Sequence, residues 1–158
     1  MVEIALPREV RERLEAALEA AGKREIGGVI MGKCLAPNRF RVADLTIQKR
    51  GGSFASFMRR LGQALAALTR FFQQTGGEYT RFNYLGEWHS HPSFSTAPSE
   101  KDVRSMLEIV GDPKVKPNFV ALIIVRLGVG GRLEGSATVF WPDGSRELAE
   151  LTLEGAYE

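Results

Sequence analysis

Both histidines of the chain fall within three residues of each other, in Glu87-Trp88-His89-Ser90-His91-Pro92, and Ser99-Glu100-Lys101-Asp102 follows after six further residues. Side chains at i and i+2 of an extended segment leave on the same side, so the two imidazoles can aim at one cation about 2.0–2.1 Å from each nitrogen. Asp102, one helical turn past Ser99, can supply a third ligand from a following helix. Three protein ligands leave a tetrahedral ion one open position, and a water acidified there is a nucleophile for hydrolysis. Ser-x-x-Asp after Pro98 also fits a helix capping box. The two readings are compatible: Ser99 can cap the helix or donate to an oxyanion beside the ion, while Asp102 points outward from the first turn. A hydrolase further needs a base, and a carboxylate near the metal but not on it is the usual choice. Glu25 and Glu87 are the candidates. Glu87 shares the strand parity of His89 and His91, which equally suits an ordinary exposed strand glutamate.

These residues need elements to position them. Val2, Ile4 and Leu6 alternate as in a short strand. Pro7 then suits the first position of a helix that Val10, Leu14, Ala17, Leu18 and Ala21 carry to Gly22. Ile26-Gly27-Gly28-Val29-Ile30-Met31-Gly32 reads as a strand, entered at Glu25, whose glycines let another backbone or a bound peptide come close. A second strand is predicted over Arg39–Lys49, with a phase slip between Val42 and Leu45 that indicates a bulge near Asp44. After Gly51-Gly52, Ser53 is placed to cap a long helix with Phe54, Phe57, Met58, Leu61, Leu65, Leu68 and Phe72 at helical spacing, ending at Gly76-Gly77. Phe82–Trp88 forms a strand that delivers the histidines, and Ser99 opens a helix whose inward residues are Val103, Met106, Leu107 and Val110. The unbroken apolar run Phe119–Val125 suits a central strand buried on both faces. Leu133–Trp141 alternates as a half-covered strand, and Pro142-Asp143-Gly144 turns it into a last strand, Leu148–Leu153. The expectation is an α/β (α+β) fold: one mixed, largely antiparallel sheet with helices packed on it.

With 158 residues and no linker or repeat, the chain is read as a single domain over 1–158. The net charge is +2 and the basic residues are scattered, so strong binding to a phosphate backbone is not indicated. Cys34 is the only cysteine, which excludes an intrachain disulfide and a cysteine-rich zinc ribbon and reads as a small buried hydrophobe in a reducing compartment. The N-terminus lacks the pattern of a signal peptide and no apolar run has membrane-spanning length, so a soluble, cytoplasmic protein is expected.

Glu25 ahead of the glycine strand, His89-Ser90-His91-Pro92, a six-residue spacer and Ser99-Glu100-Lys101-Asp102 together resemble the JAMM, or MPN-plus, metalloproteases. The resemblance spans nearly the whole chain and fills every polar position of the motif. It implies a cytidine-deaminase-like JAB/MPN domain in which His89, His91 and Asp102 hold one zinc ion. It also implies Glu25 as general base and then acid, with Ser99 steadying the tetrahedral oxyanion. The phrase Tyr84–Pro92 after a Phe-rich helix is most similar to prokaryotic JAB proteins that accompany bacterial ubiquitin-like conjugation systems. That likeness implies an isopeptidase or peptidase cutting after the C-terminal tail of a ubiquitin-like or sulfur-carrier protein. The partners implied are that modifier and ubiquitin-activating-like and conjugating-like enzymes of its pathway, with no nucleic acid and no membrane. Substrate contacts are expected at Gly27, Gly28 and Trp88, a slim tail adding along the glycine strand; the glycines also suit sheet bending or close packing. Two other readings stand beside this one: a non-catalytic MPN-like scaffold, and a RadC-like DNA-associated protein, from whose motif Ser90 and Pro92-Ser93-Phe94 depart. A nucleoside deaminase is disfavoured, because its paired cysteine ligands cannot come from Cys34 alone.

Overall fold

The computed structural model describes residues 1–49, 65–78, 81–113 and 117–155. Strand β1 (Glu3–Leu6) leads into helix α1 (Arg8–Ala21), followed by β2 (Ile26–Ala36), β3 (Arg39–Leu45) and the two-residue β4 (Gln48–Lys49). Then come α2 (Leu65–Gln74), β5 (Phe82–Ser90), α3 (Glu100–Val110), β6 (Val120–Leu127), β7 (Leu133–Phe140) and β8 (Arg146–Leu153). The proposed cap at Ser53 and the helical residues Phe54, Phe57, Met58 and Leu61 lie outside the described residues. Pro7 stands one position earlier than expected, as an extended N-cap with φ −63° and ψ 157°. No helix among the described residues is long and apolar enough to cross a membrane.

The eight strands form one sheet in the order β3-β1-β8-β7-β6-β5-β2-β4, and β3 also pairs with β2. That extra pairing closes seven of the strands into a ring. Most ladders are antiparallel, whereas β1 runs parallel to both β3 and β8, and β5 runs parallel to β6. The sheet is therefore mixed and largely antiparallel, as its alternating segments and tight turns dictate. One face carries α1: Val10, Leu14 and Leu18 pack against Ile4, Ile30, Leu85, Trp88, Ala121, Ile123 and Val125. The other face carries α3, whose Met106, Ile109 and Val110 meet Val120, Leu122, Ile124 and Phe140. On that second face Val29 and Met31 also pack against Leu68 and Phe71 of α2. Strand β6 is thus buried on both sides, odd residues toward α1 and even residues toward α3, which explains its unbroken apolar run.

Two irregularities set which way the site residues point. In the β2–β3 ladder the register slips between Met31↔Asp44 and Gly32↔Val42, leaving Ala43 as the extra residue of a bulge. In the β2–β5 ladder Ile30 pairs with Gly86 but Met31 pairs with Tyr84, so Leu85 is the extra residue. Leu85 and Trp88, three apart, consequently both face α1. The shift sends Glu87 and His89 to the opposite face, where α3 lies. Gly86 makes this possible, because a Cβ there would collide with the carbonyl of Ala121 on β6. The expected strand over Arg39–Lys49 is divided at Thr46 and Ile47, since Thr46 uses its amide and its side chain to bond Val29 of β2. Cys34 is only partly buried.

Candidate metal centre

Strand β5 ends at Ser90, and the next residue stays anchored to the sheet because the His91 amide donates to the Val125 carbonyl at 3.0 Å. His89 and His91 therefore keep strand alternation and face the start of α3. That helix opens at Ser99 with a complete capping box: Ser99 Oγ accepts from the Asp102 amide at 3.0 Å, and Asp102 Oδ2 accepts from the Ser99 amide at 2.9 Å. The box fixes Asp102 in the first turn with its carboxylate toward the histidines. His89 Nε2 and His91 Nε2 stand 3.1 Å apart, and Asp102 Oδ2 lies 3.4 Å from the first and 3.3 Å from the second. All three side chains are buried.

This triangle fits a cation. Ligand atoms of a tetrahedral zinc site at the usual bond lengths stand about 3.3 Å from one another, and the three edges here are 3.1, 3.3 and 3.4 Å. The donor chemistry agrees. His91 Nδ1 donates to the Ser95 carbonyl at 2.7 Å, which can only accept, so the neutral ring presents its lone pair at Nε2. A carboxylate oxygen and an imidazole lone pair converging on one point are stabilised by a positive charge between them. The buried His89, His91 and Asp102 group can hold a metal ion, and both readings of Ser-x-x-Asp hold at Asp102: it is cap partner and prospective ligand at once.

Glu25 lies just ahead of β2 and is exposed. Gly27 pairs with His89, so Glu25 and His91, each two residues further along, stand at the same end of the same strand pair. Ser90, between the histidines, secures that junction by accepting the Ile26 amide at 3.0 Å. Glu87, the other candidate base, is buried within β5, its pairing partners Val29 on β2 and Leu122 on β6.

Of the three expected substrate contacts, Gly27 lies beside the histidines, whereas Gly28 and Trp88 are taken up by packing within the fold. Trp88 is 1% exposed, lies on the α1 face opposite the histidines and donates its indole N–H to the Thr46 carbonyl at 2.7 Å. It is a core residue, because strand parity separates it from both of its histidine-bearing neighbours. At Gly28 the close approach is made by the chain itself, since a Cβ would collide with the Thr46 carbonyl. Gly27 makes room beside the site: a Cβ there would stand 2.5 Å from the Trp88 carbonyl and 3.0 Å from His89 Cβ. Strand β2 is also paired on both sides, by β5 and by β3 and β4, so it offers no free edge. Sequence reasoning missed Phe94, stacked on the His91 ring with centroids 4.1 Å apart, and the Ser95 carbonyl. A backbone acceptor leaves no mark in residue types.

A family described as prokaryotic homologs of the JAB domain matches residues 7–141. No curated protein matches the chain. Among solved structures, a protein of Desulfitobacterium hafniense superimposes with a TM-score of 0.66 at 20% identity, over 98% of this chain and 95% of its own. A Salinibacter ruber protein gives a TM-score of 0.53 at 17% identity over the same shares, 98% and 95%. A JAB1/MPN domain protein from Archaeoglobus fulgidus gives 0.49 at 15% identity, over 95% of this chain and 98% of its own.

Proposed function

The chain belongs to the prokaryotic family of JAB-domain homologs, and from that membership we propose that it is a zinc-dependent peptidase and isopeptidase acting on the bond after the C-terminal tail of a ubiquitin-like or sulfur-carrier protein. The observation that carries this reading is the buried triangle of His89 Nε2, His91 Nε2 and Asp102 Oδ2, with edges of 3.1, 3.3 and 3.4 Å. A zinc ion there would polarise the scissile carbonyl and lower the pKa of a water.

The chain's own residues supply the proton handling. Glu25, exposed and at the same strand end as His91, takes a proton from the attacking water on a carboxylate oxygen and passes it to the leaving amine nitrogen. The leaving group is a poor one without that proton, so one carboxylate serves as base and then as acid. Glu87, enclosed between β2 and β6, is badly placed to exchange protons with a substrate. Ser99 Oγ accepts from the Asp102 amide and keeps its own hydroxyl proton to donate to the carbonyl oxygen as charge develops there. Conjugating and activating enzymes of the same modifier pathway are the natural partners under this reading.

The test is cleavage of ubiquitin-like and sulfur-carrier fusions with zinc, with a chelator, and with Glu25→Ala. Cleavage with zinc should stop on chelation, and Glu25→Ala should lower turnover by about 10²–10⁴-fold while binding metal at unchanged stoichiometry. Metal bound without cleavage of any such fusion identifies the domain instead as a scaffold. Turnover retained by Glu25→Ala removes the assignment of the base.

A further inference from the structure

Residues 91–98 cross from β5 to α3 without helix or strand, yet a run of hydrogen bonds fastens them to the sheet. The Arg126 guanidinium on β6 donates to the Phe94 carbonyl at 3.0 Å. The Ser136 hydroxyl on β7 donates to the Thr96 carbonyl at 2.6 Å. Between these two lies the Ser95 carbonyl, which accepts His91 Nδ1 at 2.7 Å. The backbone on either side of the Ser95 carbonyl is therefore anchored to the sheet, which keeps that carbonyl within reach of His91 Nδ1.

The two donors are themselves held in place. Arg126 Nε donates to Glu134 Oε2 at 2.8 Å across a β6–β7 pair in register. Gly128 makes room for that glutamate, since a Cβ there would collide with its carboxylate. Ser136 pairs with Ile124, which pairs in turn with His89, so the platform under the loop is continuous with the strand that carries the histidines. The partner at one ring nitrogen of a histidine decides which nitrogen keeps the lone pair.

We propose that Arg126 and Ser136 are positioning residues that hold the Phe94–Thr96 backbone so that the Ser95 carbonyl orients the His91 ring and fixes its tautomer for metal binding. Neither residue belongs to the His/Ser/Asp motif and neither touches the ligand triangle. The inference rests on the metal-centre reading for its purpose, while its geometry is independent of any catalysis.

The experiment uses the full chain with Ser136→Ala, Arg126→Met and the double variant. Circular dichroism checks folding, and Ser136→Thr is the variant that keeps the hydroxyl. One readout is zinc affinity by competition with a chromogenic chelator. The second is the His91 ring tautomer in the metal-free protein, from long-range ¹H–¹⁵N correlation. Each single variant should bind zinc about 10–100-fold more weakly, and Ser136→Thr should regain wild-type affinity. The metal-free double variant should lose the Nδ1–H signature of His91. Folded single variants with wild-type zinc affinity and an unchanged His91 tautomer would overturn the proposal. A wild-type protein that binds no zinc, but whose His91 tautomer still depends on Arg126 and Ser136, upholds the positioning role and removes the proposed metalloenzyme function instead.

Discussion

Asp102 Oδ2 accepts the Ser99 amide while standing 3.3 and 3.4 Å from two imidazole nitrogens, so a single oxygen closes the first turn of α3 and faces the cation site. The two tasks separate on substitution. Asp102→Asn retains an amide oxygen for the cap but no negative charge; zinc affinity by chelator competition should fall at least about 100-fold, comparable to or beyond the effect of losing an outer-shell partner. Its urea midpoint without metal should stay close to wild type. Ser99→Ala removes the acceptor of the Asp102 amide and should lower unfolding free energy by about 1 kcal/mol. Ser99→Asn should restore that stability, since asparagine caps as well, without restoring the rate of fusion cleavage. The His-x-His and Ser-x-x-Asp spacings made this much legible from residue types, because ligands and caps each require particular side chains. The orientation of His91 was not legible, since any residue in place of Ser95 brings a carbonyl. Trp88 misled for the opposite reason: adjacency to His89 in sequence means opposite faces in a strand.

At the level of elements, the centre depends on where β5 changes phase. Leu85 is the extra residue of a bulge, and the shift puts His89 on the face of α3 rather than in the core beneath α1. An unbroken apolar run identified β6 and alternation identified β7, and the slip near Asp44 showed in the sequence as a phase error between Val42 and Leu45. The β5 bulge had no comparable signal, because Gly86 interrupts the apolar pattern without declaring its direction. The partners of the glycine strand were also hidden: its sequence announces a close approach but not by what. Thr46 makes that approach at Gly28, so Gly28→Ala should lower the free energy of unfolding by about 1–3 kcal/mol or more, as overpacking does. Urea denaturation measures the loss. An unchanged midpoint would mean that the β3–β4 connection yields freely at Thr46.

For the whole molecule, the centre joins β5 to α3 across a loop, and its ligands come from two elements that the unfolded chain does not hold together. A cation that binds only the folded form stabilises it in proportion to its occupancy. Zinc at 100 times its dissociation constant should add about 2.7 kcal/mol, visible as a raised thermal midpoint that a chelator reverses. His91→Ala should abolish the zinc-dependent part of the shift. The mixed, largely antiparallel architecture was legible from the order of short alternating strands and helices. Ring closure was not, because the parallel pairings of β1 with β3 and β8 join segments far apart in sequence and depend on register rather than composition.

The place of β1 in that ring has a consequence during synthesis. Val2, Ile4 and Leu6 are fully covered in the finished fold, and one flank of their strand belongs to Glu150–Leu153 of β8. A ribosome adding about 5–20 residues per second exposes that flank on the order of 10 s before its neighbour emerges. The nascent chain is thus an open sheet edge waiting for its last strand, and holdase chaperones, or a faster elongation rate, should raise the yield of native protein more than any substitution around His89, His91 and Asp102.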